Sequence, residues 1–545
     1  MTGLAQLALT RGVDRLLDGL QGTRDGPGAA IGVVQAGALA VHRCAGLASL
    51  ELGAQIGPET TFRVASVTKQ FTCAAVLMLA DEGRLRLDDD ARQHLPELPD
   101  MGAPVTVAHL MHNTSGIRDM LGIMRQGAAD LGQPVRPEEL MAGILRQRTL
   151  NFAPGSRFLY SNSNFLLLGR IVERAGGEPL RAVLDRRVFV PAGMTRTRLV
   201  EDMGEVVPGL ATGYLRQDGA GAGAWVRARH AFPLHGEGGL VSGVEDLALW
   251  CRWLDANPGL ADALATQAPF GNGHANLYAR GQVVRDYRGL RTVSHGGLWP
   301  GYRTEMLRAP AEDISIVVVA NRGDADPSLL AHQVLDLLLD ARPHAAPAPG
   351  RPGPADTLPL AGRWLDREAS ATLDINVAPD GGVSFVTYGL PFVPSVTPDG
   401  RLGTVRGMNP FALRALDADT MEVETDAGHV ATYHRVPPGA ALPADLPGTY
   451  RSGEMDATWT VSAGPGEAQV MIQGPIVHGG PWKVEPVEGD LIRVHTPDVL
   501  FPGWLDVLVL RDGAGAVSGL EVSGGRVRQV LYQRLRDAPG AGGQD

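Results

Sequence analysis

One stretch of sequence divides this chain and limits what it can fold into. Residues 341 to 359, ARPHAAPAPGRPGPADTLP, are dominated by Pro and Ala and lose all hydrophobic periodicity, as a semi-rigid linker does. The texture differs on its two sides. Upstream, IGVVQAGALAVHRCAGLA reads as a β-hairpin with a Gly turn, and SVTKQFTCAAVLMLADEGRL as an apolar helix from about 66 to 82 that ends near Gly83. RTEMLRA and ISIVVVANR read as adjacent strands, followed by a closing helix SLLAHQVLDLLLDA. Strands at both ends with helices between predict one α+β domain over residues 1–340.

Downstream, short strands alternate with Gly, Asp and Pro turns and helical periodicity nearly vanishes, which predicts small all-β units of the barrel or sandwich kind. A weak repeat divides them. Leu360-Ala-Gly-Arg-Trp364 is echoed by Leu446-Pro-Gly-Thr-Tyr450, and Tyr433-His-Arg-Val436 by Tyr532-Gln-Arg-Leu535. The expected units are 360–437 and 446–536, with a flexible tail at 537–545. The second copy is longer, and part of its excess lies in Gly474-Pro-Ile-Val-His478-Gly479-Gly-Pro-Trp482, a sequence suited to a projecting loop.

Several function classes drop out. The net charge is -11 with no long basic stretch, so nucleic acid is not an expected partner. Cys44, Cys73 and Cys251 are scattered and form no disulfide framework, and the 14 His and 3 Cys show no ligand spacing, so neither a metal nor a cofactor is expected. RQDGAGAGAW lacks a P-loop Lys and reads as a flexible hairpin tip. The N-terminal segment is an amphipathic helix pattern without a basic n-region and long apolar core, and no apolar run reaches membrane-spanning length. A soluble, cytoplasmic protein without membrane partners is expected.

Of 49 Lys+Arg, only Lys69 and Lys483 are lysines. Codon bias accounts for the scarcity, yet Lys can lose a proton and Arg cannot. Lys69 falls three residues after Ser66 at the start of the apolar helix, one turn higher on the same face. This is the Ser-x-x-Lys spacing of serine acyl-transferring enzymes. The Ser hydroxyl needs a base, a buried Lys becomes one when desolvation lowers its pKa, and the helix N-terminus favours a developing oxyanion. Tyr160-Ser-Asn162 stands at a loop-to-helix junction, where a Tyr can relay a proton and an Asn can bind a substrate amide. His295-Gly-Gly297-Leu298 precedes the last strand pair, and glycines there permit close approach of a substrate.

The order and spacing of these three motifs resemble the penicillin-recognising serine hydrolase family. His112-Asn-Thr-Ser-Gly116, Pro154-Gly155 and Gly236-Glu-Gly-Gly239 support the resemblance, which covers residues 1 to about 340. It implies an α+β β-lactamase/D,D-peptidase-like catalytic domain, an antiparallel sheet flanked by helices, followed here by two small all-β antiparallel barrel domains. It also implies roles: Ser66 as nucleophile, Lys69 and Tyr160 for proton transfer, Asn162, His295 and Gly297 at the substrate, and the backbone N–H groups of Ser66 and Leu298 as oxyanion hole.

The third motif begins with His where many relatives carry a Lys that helps bind a substrate carboxylate. The three-domain layout resembles the D-stereospecific aminopeptidases, whose last barrel sends a loop into the cleft. By that resemblance the loop of Gly474, His478 and Gly479 is expected to close the Ser66 cleft, although its tip carries no carboxylate for a substrate amine; Glu485, Glu488 and Asp490 follow nearby. The expected activity is release of N-terminal D-amino acids from small peptides or amides, with a D-Ala-like pocket. An esterase or D,D-carboxypeptidase on the same fold is the alternative, and a non-catalytic binding module the alternative of another class. A homodimer stays open.

Overall fold

The computed structural model describes residues 3–20, 22, 25–129, 131–217, 224–342, 346–378, 382–388, 390–397, 399–425, 428–464, 467–497 and 503–536. The tail at 537–545 and most of the tip of the 216–225 hairpin, both expected to be flexible, lie outside the described residues.

Six antiparallel strands form the sheet of the first unit, in the order Val283–Tyr287, Leu290–Trp299, Tyr302–Ala309, Ile314–Ala320, Ala29–Gln35 and Ala38–Ala45. The N-terminal hairpin turns at Ala36 and Gly37, with φ of 50° and 71°, the left-handed pair that a tight two-residue turn needs. Ala29 pairs with Ala320, so the first strand of the chain sits beside the last strand of the unit. Every residue of Ile314–Ala320 is buried because the sheet is covered on both faces. Ile316 and Val318 pack with helices Gly3–Asp18 and Pro327–Leu339, whereas Val317 and Val319 join the core on the helical side. In that core lies the largely buried helix Thr68–Asp81, packed against Asn162–Gly176.

The last unit is a closed eight-stranded antiparallel barrel from Gly448–Ser452 to Val530–Arg534. The middle unit is all-β as expected, but among the described residues its nine antiparallel strands form a half-barrel that is not closed, with edges Leu390–Phe392 and Ser395–Val396.

The weak sequence repeat is a structural one. In each unit the first strand pairs with the last, Trp364 opposite Arg435 and Tyr450 opposite Arg534. In each, the aromatic side chain donates to the carbonyl four residues back, Trp364 Nε1 to Leu360 at 2.8 Å and Tyr450 Oη to Leu446 at 2.5 Å. The guanidinium from the last strand covers each ring, at 4.2 and 5.8 Å.

The barrel is fused to the first unit through one continuous apolar core that contains Ile123, Met124, Trp459 and Tyr532. Trp459 Nε1 donates to the Gln126 carbonyl at 3.0 Å, and Val527 packs on Gly122. The middle sheet is joined to the first unit by Arg285, which donates to the Thr404, Arg406 and Gly407 carbonyls. It is joined to the barrel by Arg493, which donates to Asp374 and Thr372. Among the described residues no helix is long and apolar enough to cross a membrane.

Candidate active site

Strand Phe62–Arg63 pairs with Leu240–Ser242, and the chain then turns sharply into the helix that carries Lys69. The turn is a short 3-10 segment, Ala65–Val67, with Ala65 held at φ 48°. A left-handed alanine is strained by about 1–3 kcal/mol and persists only where its surroundings impose it. The second glycine after His295 does part of that work. A Cβ on Gly297 would lie 2.1 Å from the Val64 carbonyl oxygen, so the third-motif strand can approach the turn only without a side chain there. The absent side chain of Gly297 therefore admits the turn that carries Ser66.

Lys69 is completely buried, and its Nζ reaches Ser66 Oγ at 3.1 Å, Asn162 Oδ1 at 2.9 Å and the Glu237 carbonyl at 2.5 Å. Burial draws its pKa down to about 7, with Arg526 pushing the same way and Glu237 and Asp119 opposing. Burial also raises the Glu237 carboxyl, whose Oε2 has no hydrogen-bond partner. The aromatic rings of Tyr160 and Phe165 lie 4.9 and 5.2 Å from Nζ.

Tyr160 is buried, and its phenol faces Ser66 without a well-aligned hydrogen bond. Burial holds it protonated, well above the usual phenol range. Arg526 acts to lower it, but desolvation wins. Asn113, in the His112–Gly116 segment, fixes the Tyr160 loop by accepting from the Ser161 N–H at 3.1 Å and from Asn164 Nδ2 at 2.9 Å. Asn162 is held from both ends. Its Oδ1 meets Lys69, while its N–H and Nδ2 donate to Asp119 Oδ2 at 2.6 and 2.9 Å. Asp119 Oδ1 meanwhile caps the helix Met120–Gln126 through the Leu121 and Gly122 N–H groups.

His295 is also fully engaged. Nδ1–H donates to the Gly296 carbonyl at 2.7 Å, which leaves Nε2 to accept from the Tyr278 hydroxyl at 2.9 Å. Burial brings its pKa to about 3, so the ring is neutral and offers no cation to a substrate carboxylate. Leu298 follows on the same strand, whose pairing with Val283–Tyr287 stops at Ser294. The segment His295–Trp299 thus passes the Ser66 turn with that edge unpaired among the described residues.

The structure brings Ser66, Lys69, Tyr160, Asn162 and His295 together and places the expected cleft loop elsewhere. Gly474 abuts the Gly127 backbone and Gly479 abuts Ala128, while Pro475 and Ile476 line a small cleft with Ile123 and Met124. His478 is exposed at the start of strand His478–Glu488. Lys483 is exposed farther along that strand. Glu485, Glu488 and Asp490 pair with His495, Arg367 and Arg511. Extra length in the second copy marked a docking loop.

The barrel hairpin that does reach the cluster is 524–529, between strands Val517–Ser523 and Val530–Arg534. Its Arg526 carbonyl accepts from the Asp119 N–H at 3.3 Å and from Asn151 Nδ2 at 3.2 Å. The Arg526 guanidinium lies 4.6 Å from the Tyr160 ring centroid. Arg526, Asp119, Glu237 and Tyr278 were missed in the sequence; the exposed-looking Gly-Gly-Arg-Val-Arg tip was the available signal for the first.

Glu173, Glu201 and His235 form the described cluster whose ligand atoms lie close enough to hold a metal ion. They are occupied by one another and by neighbours: His235 Nδ1 meets Glu201 at 2.6 Å, and Arg170 and the Leu180 N–H hold Glu173. This set lies beneath the turn that presents the Glu237 carbonyl to Lys69, and reads as an ion-pair support.

A partly exposed serine, a buried lysine with a pKa near neutrality and a protonated phenol can acylate and deacylate. Comparison with known proteins agrees with this chemistry. A family model described as Beta-lactamase matches residues 13–341. A D-aminopeptidase of Cereibacter sphaeroides is 28% identical over 531 residues, covering 96% of this chain and 99% of its own. A D-aminopeptidase of Brucella anthropi is 26% identical over 519 residues, covering 94% and 96%. Among solved structures, the octameric penicillin-binding protein homologue from Pyrococcus abyssi aligns with a TM-score of 0.55 at 22% identity, over 85% of this chain and 97% of that one. A D-amino acid amidase from Ochrobactrum anthropi SV3 aligns with a TM-score of 0.51 at 22% identity, over 61% and 99%.

Proposed function

This chain belongs to the beta-lactamase family, and from that premise we propose that it is a D-stereospecific serine hydrolase, a D-aminopeptidase that releases N-terminal D-amino acids from short peptides or amides. The observation that carries the reading is the Ser66–Lys69–Tyr160 cluster inside a chain whose relatives named D-aminopeptidase match it almost end to end.

In this reading neutral Lys69 takes the Ser66 proton as Oγ attacks the substrate carbonyl carbon. The tetrahedral oxyanion is held by the Ser66 and Leu298 N–H groups. The C–N bond breaks as the leaving amine takes a proton from the Tyr160 phenol, which recovers one from Lys69. Water then attacks the acyl-enzyme with Lys69 again as base, and the acyl C–O bond breaks as Lys69 returns that proton to Ser66 Oγ, which releases the acid. Asn162, pinned by Asp119, keeps Lys69 aimed at Ser66. Glu237 and Asp119 are the carboxylates whose field reaches Lys69.

Turnover of D-alanine amide, L-alanine amide and N-acetyl-D-alanine amide tests the proposal. Release of alanine from the first alone supports it. Equal turnover of the acetylated compound moves the assignment to an esterase- or carboxypeptidase-like hydrolase.

A further inference from the structure

The charge that the barrel brings to the cluster is a cation whose contacts are a loose ion pair with Asp119 and the face of the Tyr160 ring. Arg526 is about a quarter exposed, and its guanidinium donates no hydrogen bond to any described residue. Its ion pair with Asp119 Oδ2 is loose, at 3.9 Å, because that oxygen already accepts from the Asn162 N–H and Nδ2. The backbone beneath it is fixed: the Arg526 carbonyl is held by Asp119 and Asn151, and the Arg528 N–H by Asn151 Oδ1 at 3.0 Å. A hairpin anchored on both sides of an underused cation presents that cation to something.

What it faces is open space. A cavity of about 190 Å³ lies where the three units meet, with Tyr160 and Arg526 in its wall together with Phe158, Tyr388 and Phe411. Its charged lining is unbalanced, since Arg157, Arg526 and Arg528 stand against Asp366. Asp366 Oδ1 accepts from the Glu368 and Ala369 N–H groups. His295, at the third motif, is neutral here.

We propose that Arg526 is a specificity-determining residue that binds a carboxylate carried by the substrate, a charge recognition supplied by the last barrel and not by the third motif. The inference rests on the Ser66 acylation chemistry above, though not on the free amine. The carboxylate has two possible sources: an acidic side chain on the acyl residue, or the free C-terminus of the leaving residue.

Matched pairs separate the sources. D-glutamic acid α-amide against D-glutamine amide reads the acyl side, and D-alanylglycine against D-alanylglycinamide the leaving side. The quantity is the ratio of kcat/KM, acidic over neutral, which cancels general effects of a variant on turnover. In Arg526→Gln one of the two ratios is expected to fall by about 10-fold or more, the worth of a charge-assisted hydrogen bond, while Arg526→Lys retains most of it. Both ratios unmoved in Arg526→Gln overturn the proposal and leave the arginine a structural cover for Tyr160.

A pair of serine-directed phosphonates, one bearing a carboxylate and the other its carboxamide, gives the same comparison as inactivation rates. If the carboxylate preference of inactivation is lost in Arg526→Gln while wild type hydrolyses no D-amide, Arg526 recognition stands and the aminopeptidase reading falls. Equal inactivation rates for the two phosphonates in wild type, together with unmoved substrate ratios, refute the recognition itself.

Discussion

Lys69 Nζ and Ser66 Oγ lie 3.1 Å apart, one helical turn separating their backbones, in a site where the lysine is completely buried. Its proton has to leave for this contact to be catalytic. Lys69→Arg keeps the charge and removes the proton transfer, so kcat is expected to drop by about 10²–10⁴-fold. Steady-state hydrolysis of D-alanine amide checks this, and near-normal turnover removes Lys69 from its role.

The same proton sets the pH dependence. With the Lys69 pKa near 7, the base is protonated below that pH and free above it, so kcat/KM rises as pH climbs through about 7. Tyr160 stays protonated through this range because burial raises it. Arg526 is a like charge that lowers Lys69, so in Arg526→Gln the acid limb moves to higher pH. A pH–rate profile of the two proteins reads the shift directly, and a move to lower pH contradicts the assignment.

Gly297→Ala places a methyl group 2.1 Å from the Val64 carbonyl oxygen, a backbone atom that cannot rotate away. Overpacking of this kind costs about 1–3 kcal/mol, and here it pushes on the strained Ala65 that positions Ser66. A lowered midpoint in denaturant and a larger loss in kcat than in KM are expected. Wild-type values for both place the strand farther from the turn.

Asp119→Ala removes the cap of the helix Met120–Gln126, worth about 0.5–2 kcal/mol, and frees Asn162 from its anchor. Asp119→Asn keeps a capping oxygen and is expected to recover most of the stability but less of the activity, because a neutral amide is a weaker acceptor for Asn162. Thermal unfolding measured beside kcat distinguishes the two effects.

Legibility in the sequence followed the range of the interaction. Ser66 and Lys69 are neighbours on one helix, so their spacing announced them. The first strand and last strand of each β unit were marked by the echoed aromatic and arginine positions, which pair across the ladder. Arg526 and Asp119 meet through the docking of the barrel on the first unit, and no local period records a docking geometry. The expectation for Gly474 to Gly479 failed for a related reason: inserted length says that a loop projects, not which surface it meets. Openness of the middle sheet was hidden because short strands alternate with turns alike in open and closed sheets.

The acyl-enzyme at Ser66 is the central claim, and peptide mapping after treatment with a serine-directed fluorophosphonate tests it most directly. The account predicts one adduct, on the peptide containing Ser66, abolished in Ser66→Ala and strongly slowed in Lys69→Arg. An unlabelled protein, or an adduct on another residue that survives Ser66→Ala, contradicts it.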